Sequence, residues 1–345
     1  MTQVHVVPVI LAGGVGSRFW PLSRESRPKQ LLDLFGDGPM IEVTLARVAP
    51  FAPPERALIV TSQRLADTIA ELVPAVPKAR ILAEPSGKNT APAIAWAAMR
   101  AVEQDPDAIL MVLPSDHHIA DVPAYQAVIA TCLEVAQSGK LVTIGIVPTH
   151  PETGYGYIER GAASAGGAFD VARFVEKPDL ATALTFLAGG RHLWNAGMFF
   201  MPARLFLDEL ARLRPSLAEP MLAAGPERLL EVWAALESIS VDYAVFEHTD
   251  KVEVVPGSFG WSDVGSWRSL LDHRQGATSF HGGEVIEVDG RDNVLFADGG
   301  LVSVVGVTGL VVVHTPDATF VCKTDDAQRA RDVVAEVKRR RVDLL

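Results

Sequence analysis

Continuous apolar runs ending at glycine or an acidic residue punctuate the first half of the chain. They are VHVVPVILAGG (4–14), ALIVT (57–61), ILAE (81–84), AILMVLPSD (108–116) and LVTIGIV (141–147). Runs without polar alternation are strands covered on both faces. Between them, residues 40–51, 63–73, 90–103 and 123–138 place apolar side chains at helical spacing. Asn89 or Thr90, with Pro92 just beyond, makes a helix start. Strand and helix alternate about every 25–30 residues, the rhythm of a parallel α/β sheet with helices on both faces.

The pattern loosens after residue 150. GYGY (154–157) opens a strand-rich insertion that includes ARFVEKP (172–178). A helix is expected over 179–188, then LWNAGMFFMP (193–202), helices to about 248, and the strand KVEVVP (251–256). From residue 282 the rhythm changes again. Short valine-rich runs (EVIEV, NVLFA, LVSVVGV, GLVVVHT, ATFVCK) are separated by Asp-Gly, Gly-Gly and Thr-Gly turns, and a basic helix over 325–341 follows. Such rungs fit a short β-solenoid, with a small barrel as the alternative. The expected organisation is one domain over 1–275 and a second over 282–345.

Composition narrows the function. Of 345 residues, 48% are hydrophobic and 21% charged, so a large core is available. The net charge is −11, from 31 basic and 42 acidic residues, which argues against a nucleic-acid binder. The basic run Lys338-Arg339-Arg340-Arg341 reads as a solvated helix end. Cys132 and Cys322 form no CxxC pattern, which fits a reducing compartment, no structural zinc and two small apolar side chains. The apolar run Val4 to Ala12 is too short to span a bilayer, and the N-terminus shows no leader pattern. A cytoplasmic protein without membrane partners is expected.

The candidate chemistry begins where the first strand ends, in LAGGVGSRFWPLSRESRPKQ (11–30). A dinucleotide fingerprint would need a third glycine at position 19, which is phenylalanine, and ALIVT ends without an acidic residue for a ribose. A phosphate-binding GK[ST] loop fails too, because Gly87-Lys88 and Gly139-Lys140 are followed by Asn89 and Leu141. What survives is a loop that wraps a nucleoside triphosphate. Gly13, Gly14 and Gly16 admit phosphate oxygens to backbone N–H groups. Arg18 supplies a bidentate fork, and Lys29, beyond Pro21 and Pro28, supplies a point charge.

The whole string G-G-x-G-x-R-x-x-P-L-x(6)-P-K resembles the signature of sugar-nucleotide pyrophosphorylases, and among them bacterial mannose-1-phosphate guanylyltransferases. The resemblance extends through EPSGKNTAPAIA (84–95), LPSDHHI (113–119), GIVPTHPETGYGYI (145–158), FVEKPD (174–179), WNAGMF (194–199), SISVDYAVFE (238–247) and GWSDVGSW (260–267). It implies a Rossmann-like nucleotidyltransferase domain with a mixed, mainly parallel sheet and a β-helix-like tail. Some members continue into a phosphomannose isomerase domain; a monofunctional enzyme is expected here. The implied reaction is α-D-mannose 1-phosphate plus GTP giving GDP-mannose and pyrophosphate. The other readings are a pyrophosphorylase for another sugar and base, and a non-catalytic nucleotide-sugar sensor.

The resemblance also assigns residues. It implies Arg18, Lys29 and Lys177 as catalytic cations, with Lys177 on the sugar phosphate. Asp116 and Asp263 are implied as ligands of Mg²⁺, which favours carboxylate and phosphate oxygens. Their plainer readings are a loop cap and a helix N-cap. Leu11, Ala12, Gly13, Gly14, Gly16, Ser17 and Ser115 are implied as nucleotide contacts. Glu84, Asn89 and Thr90 are implied near guanine or ribose, where a carboxylate suits guanine's N1–H and N2–H₂ donors. Asn89 or Thr90 also reads as a helix cap, and Lys88 as solvated. Gly156, Glu176 and Asn195 are implied at the sugar. His117 and His118 read as packing residues or as side chains just outside the ligand set, since oxygen ligands suit magnesium better. A terminal β domain with a helix offers a surface for a homodimer.

Overall fold

The computed structural model describes residues 5–14, 16–274 and 276–345, so Val4 of the first apolar run lies outside it. The chain forms two compact units, each assembled from separate stretches. The first comprises Met1–Gly13, Leu45–Pro114 and Ile119–Trp261, and the second Gly14–Thr44, Ser115–His118 and Ser262–Leu345.

The first unit is built on a nine-stranded sheet. Its strands are β1 (Val6–Ala12), β2 (Leu58–Ser62), β3 (Ile81–Glu84), β4 (Ile109–Pro114), β5 (Leu141–Ile146), β6 (Tyr157–Ala163), β7 (Phe169–Val175), β8 (His192–Pro202) and β9 (Val252–Gly257). The order is β3-β2-β1-β4-β8-β5-β9-β7-β6. β3, β2, β1 and β4 are parallel, as are β5 and β9, whereas β8, β7 and β6 run antiparallel to their neighbours. The buried central strands β1, β4 and β5 are the continuous apolar runs of the sequence.

Helices Thr90–Gln104, Ala203–Leu213 and Pro215–Val232 pack on one face, through Val7, Val9, Val112, Phe199 and Met201 among others. The helix Val122–Gln137 takes the opposite face, where Tyr125 reaches Met198 Sδ at 3.6 Å. The alternation of Met198, Phe199, Phe200 and Met201 thus serves two cores, and these side chains are packing groups. Cys132, on the latter helix, is buried, whereas Cys322 is half-buried.

β1 sits where the strand order reverses, with β2 on one side and β4 on the other, paired to Leu11↔Pro114. Open α/β sheets bind ligands beyond the carboxyl ends of strands at such a point. The glycine loop leaves β1 there, and LPSDHHI leaves β4 there.

In the second unit, β10 (Phe280–Gly282), β12 (Val294–Ala297) and β14 (Leu310–Thr315) pair in parallel, as do β11 (Val285–Val288) and β13 (Val302–Val305). Phe280, Val294 and Val311 therefore stack above one another, which is the solenoid arrangement rather than the barrel. β15 (Ala318–Lys323) closes this stack antiparallel to β14. Buried Asn293 ties the rungs together, donating to Glu287 Oε1 (2.7 Å) and the Val307 carbonyl (2.9 Å) and accepting from Leu310 N (2.8 Å).

The stack shares one core with the loop that follows β1. Phe19, Trp20, Leu22, Leu32 and Leu34 cluster with Trp267, Phe296, Val313 and Phe320. That common core is why residues 14–44 fold with the C-terminal stretch, a grouping the order of elements along the chain does not suggest. The terminal helix Ala330–Arg340 ends in the exposed basic run, paired locally with Glu336 and Asp343. Among the described residues, no helix is long and apolar enough to cross a membrane.

Candidate functional site

The predicted residues are divided between the two units. In the second unit the organising side chain is Lys29. Gly14 and Gly16 adopt φ of 93° and 62°, the left-handed region open to glycine. Gly16 has a second constraint, because a Cβ there would lie 2.6 Å from Lys29 Cβ and 3.0 Å from its backbone N. The carbonyl of Gly16 accepts from Phe19 N (2.9 Å) and Ser23 Oγ (2.7 Å), which folds the loop into a turn over Ser17–Phe19. Phe19, the residue incompatible with a dinucleotide fingerprint, is a buried anchor against Trp267 with ring centroids 4.9 Å apart.

Lys29 is itself 5% exposed. Its Nζ donates to Asp116 Oδ2 (3.0 Å) and to the Asp263 carbonyl (2.6 Å), and lies 5.6 Å from the Phe19 ring centroid. Three predicted residues, far apart in sequence, thus meet at one ammonium group. Burial works to raise the Asp116 carboxyl, but the charge and hydrogen bond of Lys29, with the charge of His117, hold it below its ordinary range. Arg18 is exposed and donates from Nη1 to the Gly265 carbonyl (2.9 Å), which places it on the turn carrying Asp263.

That turn is tight. Val264 has φ 46°, a strained value for a β-branched residue, and a Cβ on Gly265 would stand 3.0 Å from Asp263 Oδ2. The short helix Trp267–His273 begins after Ser266, so Asp263 is not its cap. Ser115 is buried, and its carbonyl accepts from Thr44 Oγ1 at 3.4 Å. His118 packs against the rings of Phe35 and His273, each centroid 4.2 Å away, in the packing role expected of it.

The first unit holds the remaining predicted residues. Ala12 is buried at the end of β1, its carbonyl accepting from Thr61 Oγ1 (2.9 Å), while Leu11 is half-buried and Gly13 exposed. Glu84 ends β3 and is 8% exposed; its Oε1 is buried without a hydrogen-bond partner, and burial pushes the carboxyl up to about 7. Asn89, at φ 66°, caps the helix from Thr90 with its side chain. Thr90 Oγ1 accepts from Val241 N at 2.8 Å, and Lys88 corrects the expectation of a solvated chain. It donates to the carbonyls of Ala234 and Leu236, both at 2.8 Å, and so pins the 88–91 segment to the chain that leads to residue 241.

Gly156, Glu176, Lys177 and Asn195 come together where β6, β7 and β8 meet. A Cβ on Gly156 would lie 2.5 Å from Glu176 Oε2, so only glycine leaves room for that carboxylate. Glu176 Oε1 accepts from Lys177 Nζ at 2.6 Å, and Lys177 sits at φ 46°. Asn195 N donates to the Gly156 carbonyl (2.8 Å), and its side-chain Nδ2 donates to Asp242 Oδ1 (2.8 Å). Asp242 was not singled out by motif. Its sequence signal was SISVDYAVFE, a stretch with no obvious chemistry until the fold carries it to Asn195.

Among the described residues, no group of three or more His, Cys, Asp or Glu side chains is gathered as a metal cage. Asp116 and Asp263 supply carboxylate oxygens, the donor type that a hard cation takes together with phosphate oxygens and water.

Comparison with known proteins bears on the whole chain. Residues 7–279 match the family described as nucleotidyl transferase, and residues 283–337 match a mannose-phosphate isomerase/GMP-like β-helix domain. The xanthan biosynthesis protein XanB of Xanthomonas campestris pv. campestris (strain B100) is 44% identical over 347 residues, covering 96% of this chain and 73% of that protein. A mannose-1-phosphate guanylyltransferase of Escherichia coli (strain K12) is 42% identical over 358 residues, covering 98% of this chain and 74% of the other. A crystal structure described as a mannose-1-phosphate geranyltransferase from Thermus thermophilus superposes with a TM-score of 0.89 at 37% identity, over 98% of this chain and all of that one. The two-part fold and these likenesses agree: the chain is a nucleotidyl transferase and belongs to the mannose-1-phosphate guanylyltransferase family.

Proposed function

We propose that the protein transfers GMP from GTP to α-D-mannose 1-phosphate, giving GDP-mannose and pyrophosphate, with Mg²⁺ as cofactor. The observation that carries this reading is the convergence of Lys29, Asp116 and Asp263 in the unit that also holds Gly14, Gly16 and Arg18. A sugar phosphate oxygen attacks the α-phosphorus of GTP in line. The bond from that phosphorus to the bridging oxygen breaks, and pyrophosphate leaves with the electron pair. The nucleophile is a phosphate monoester with a second pKa near ~6, so it arrives ionised and no general base is needed. Such a reaction calls for cations and carboxylates rather than a nucleophile–base pair.

Catalysis then reduces to positioning and charge stabilisation. The glycine loop admits the triphosphate, while Arg18 and Lys29 take up charge on the departing pyrophosphate. Mg²⁺, when bound, would neutralise phosphate oxygens, and Asp116 and Asp263 would hold it. Lys29 keeps Asp116 ionised for that task and draws the Asp263 turn towards it. Glu84 accepts from the guanine donors. Glu176 and Asn195 bind sugar hydroxyls, and Lys177 binds the sugar phosphate.

Pyrophosphate release is measured with GTP, ATP, UTP and dTTP, each against mannose 1-phosphate and glucose 1-phosphate. GTP with mannose 1-phosphate is expected to give the highest kcat/KM. Release with another pair and none with this one would overturn the assignment of substrates.

A further inference from the structure

We propose that Asp242 is a positioning residue of the sugar site, fixing the carboxamide of Asn195 so that one Nδ2 hydrogen faces the acceptor sugar. This rests on the reading of Asn195 as a sugar ligand. The orientation of the amide follows from its partners. Gly197 N can only donate, and it meets Asn195 Oδ1 at 3.2 Å; Thr143 Oγ1 meets the same oxygen at 3.1 Å. Nδ2 therefore faces Asp242, and one of its two hydrogens goes to Oδ1 at 2.8 Å. Thr143 Oγ1 also reaches the Met198 carbonyl at 3.2 Å, so Gly197 N is the donor that fixes the amide, and the second Nδ2 hydrogen is the N–H left for a ligand.

Asp242 is held as firmly as the group it orients. It begins a π-helical turn, Asp242–Phe246, in which Glu247 N donates to its carbonyl at 3.0 Å. Turns of this kind recur at functional sites. The preceding residues are stitched to the 88–91 segment by Val241 N to Thr90 Oγ1 (2.8 Å), Ala91 N to the Ile239 carbonyl (3.1 Å) and Ile239 N to the Lys88 carbonyl (3.2 Å).

A carboxylate is an expensive choice for this place. Burial, and the nearby charge of Glu176, push its carboxyl up to about 6. A neutral acceptor would satisfy Asn195 without that penalty, so the carboxylate serves something beyond local packing. A charged acceptor polarises the amide, and the remaining N–H becomes a stronger donor to a hydroxyl.

The test is steady-state kinetics of the full chain, with wild type first shown to turn over GTP and mannose 1-phosphate; failure there would indict the reaction assignment and not Asp242. Asp242→Ala removes the acceptor, Asp242→Leu removes it while keeping the branched shape, and Asp242→Asn keeps an acceptor oxygen. The deletions should raise KM for mannose 1-phosphate about 10-fold or more and leave KM for GTP within about 2-fold, while Asp242→Asn recovers most of the loss. In an Asn195→Ala background, deleting Asp242 should add little, since the group it acts through is gone. An unchanged sugar KM in whichever deletion variant folds, a parallel rise in both KM values, or full additivity with Asn195→Ala would each overturn the proposal.

Discussion

Glu84 offers a test in which stability and binding move in opposite directions. Its carboxyl is pushed from 4.5 to about 7 by burial, and Oε1 has no hydrogen-bond partner. A carboxyl whose folded value is raised binds protons more tightly when folded. Stability is therefore fullest below 4.5 and falls as pH rises to about 7, after which the loss is complete. Each pH unit of displacement is worth ~1.4 kcal/mol, so ionised Glu84 costs the fold roughly 2–3 kcal/mol at pH 8, allowing for residual solvent contact.

Glu84→Gln has no such charge. Relative to wild type, the variant should gain roughly 2–3 kcal/mol of unfolding free energy between pH 4 and pH 8, read by urea denaturation at both values. Guanine presents two donors where Gln offers one acceptor and one donor. KM for GTP should therefore rise by about 10- to 100-fold at pH 8, as expected for losing a charged hydrogen-bond acceptor. A variant with the pH dependence of wild type would show that Glu84 is not buried as an acid. A variant that is stabilised but keeps its KM for GTP would show that the orphaned oxygen is not the guanine acceptor.

Three further substitutions probe the other parts of the account. Lys29→Met leaves Asp116 without its cation. We expect a loss of kcat of about 10²- to 10³-fold in pyrophosphate release and a loss of roughly 1–3 kcal/mol in urea unfolding, tempered by partial exposure of Asp116. Gly16→Ala drives a Cβ to 2.6 Å from Lys29 Cβ at φ 62°; it should lower kcat/KM and cost about 1–3 kcal/mol, with a normal circular dichroism spectrum. Glu209, buried on the helix Ala203–Leu213, is held at about 2 by hydrogen bonds from Arg212, with Lys251 and Thr249 adding to the effect against burial. Its folded value is depressed, so its stabilisation is present above about 4.5 and is lost as pH falls towards 2. Glu209→Gln should lower the thermal midpoint at pH 7 while leaving KM for both substrates unchanged.

The first apolar runs and helical stretches were legible because β1, β4 and β5 are covered on both faces and the helices between them carry one apolar stripe. ILAE coincides with β3, and the other ends moved by a residue or a few. Parallel stacking in the tail was legible from its turns, but not its partner core. Trp20 and Leu32 look like ordinary loop residues until Trp267 and Phe296 close on them. Within the candidate site, Lys29, Asp116 and Asp263 were each identified by motif, yet their meeting at one ammonium is a product of tertiary structure. Lys88 escaped because two backbone carbonyls, invisible to composition, receive it. Asp242 escaped because its partner, the side chain of Asn195, stands on a distant strand.

The central claim is that this site joins a sugar phosphate to the α-phosphorus of GTP, with Asp116 and Asp263 serving the metal-bound phosphates. Phosphorus NMR of wild type with GTP, mannose 1-phosphate and Mg²⁺ follows every phosphorus at once. The account predicts that GDP-mannose and pyrophosphate appear in equal amounts, and that Asp263→Asn, folded by circular dichroism, forms neither at a measurable rate. It would be contradicted by wild type that leaves both reactants intact, or by an Asp263→Asn protein that turns them over as wild type does.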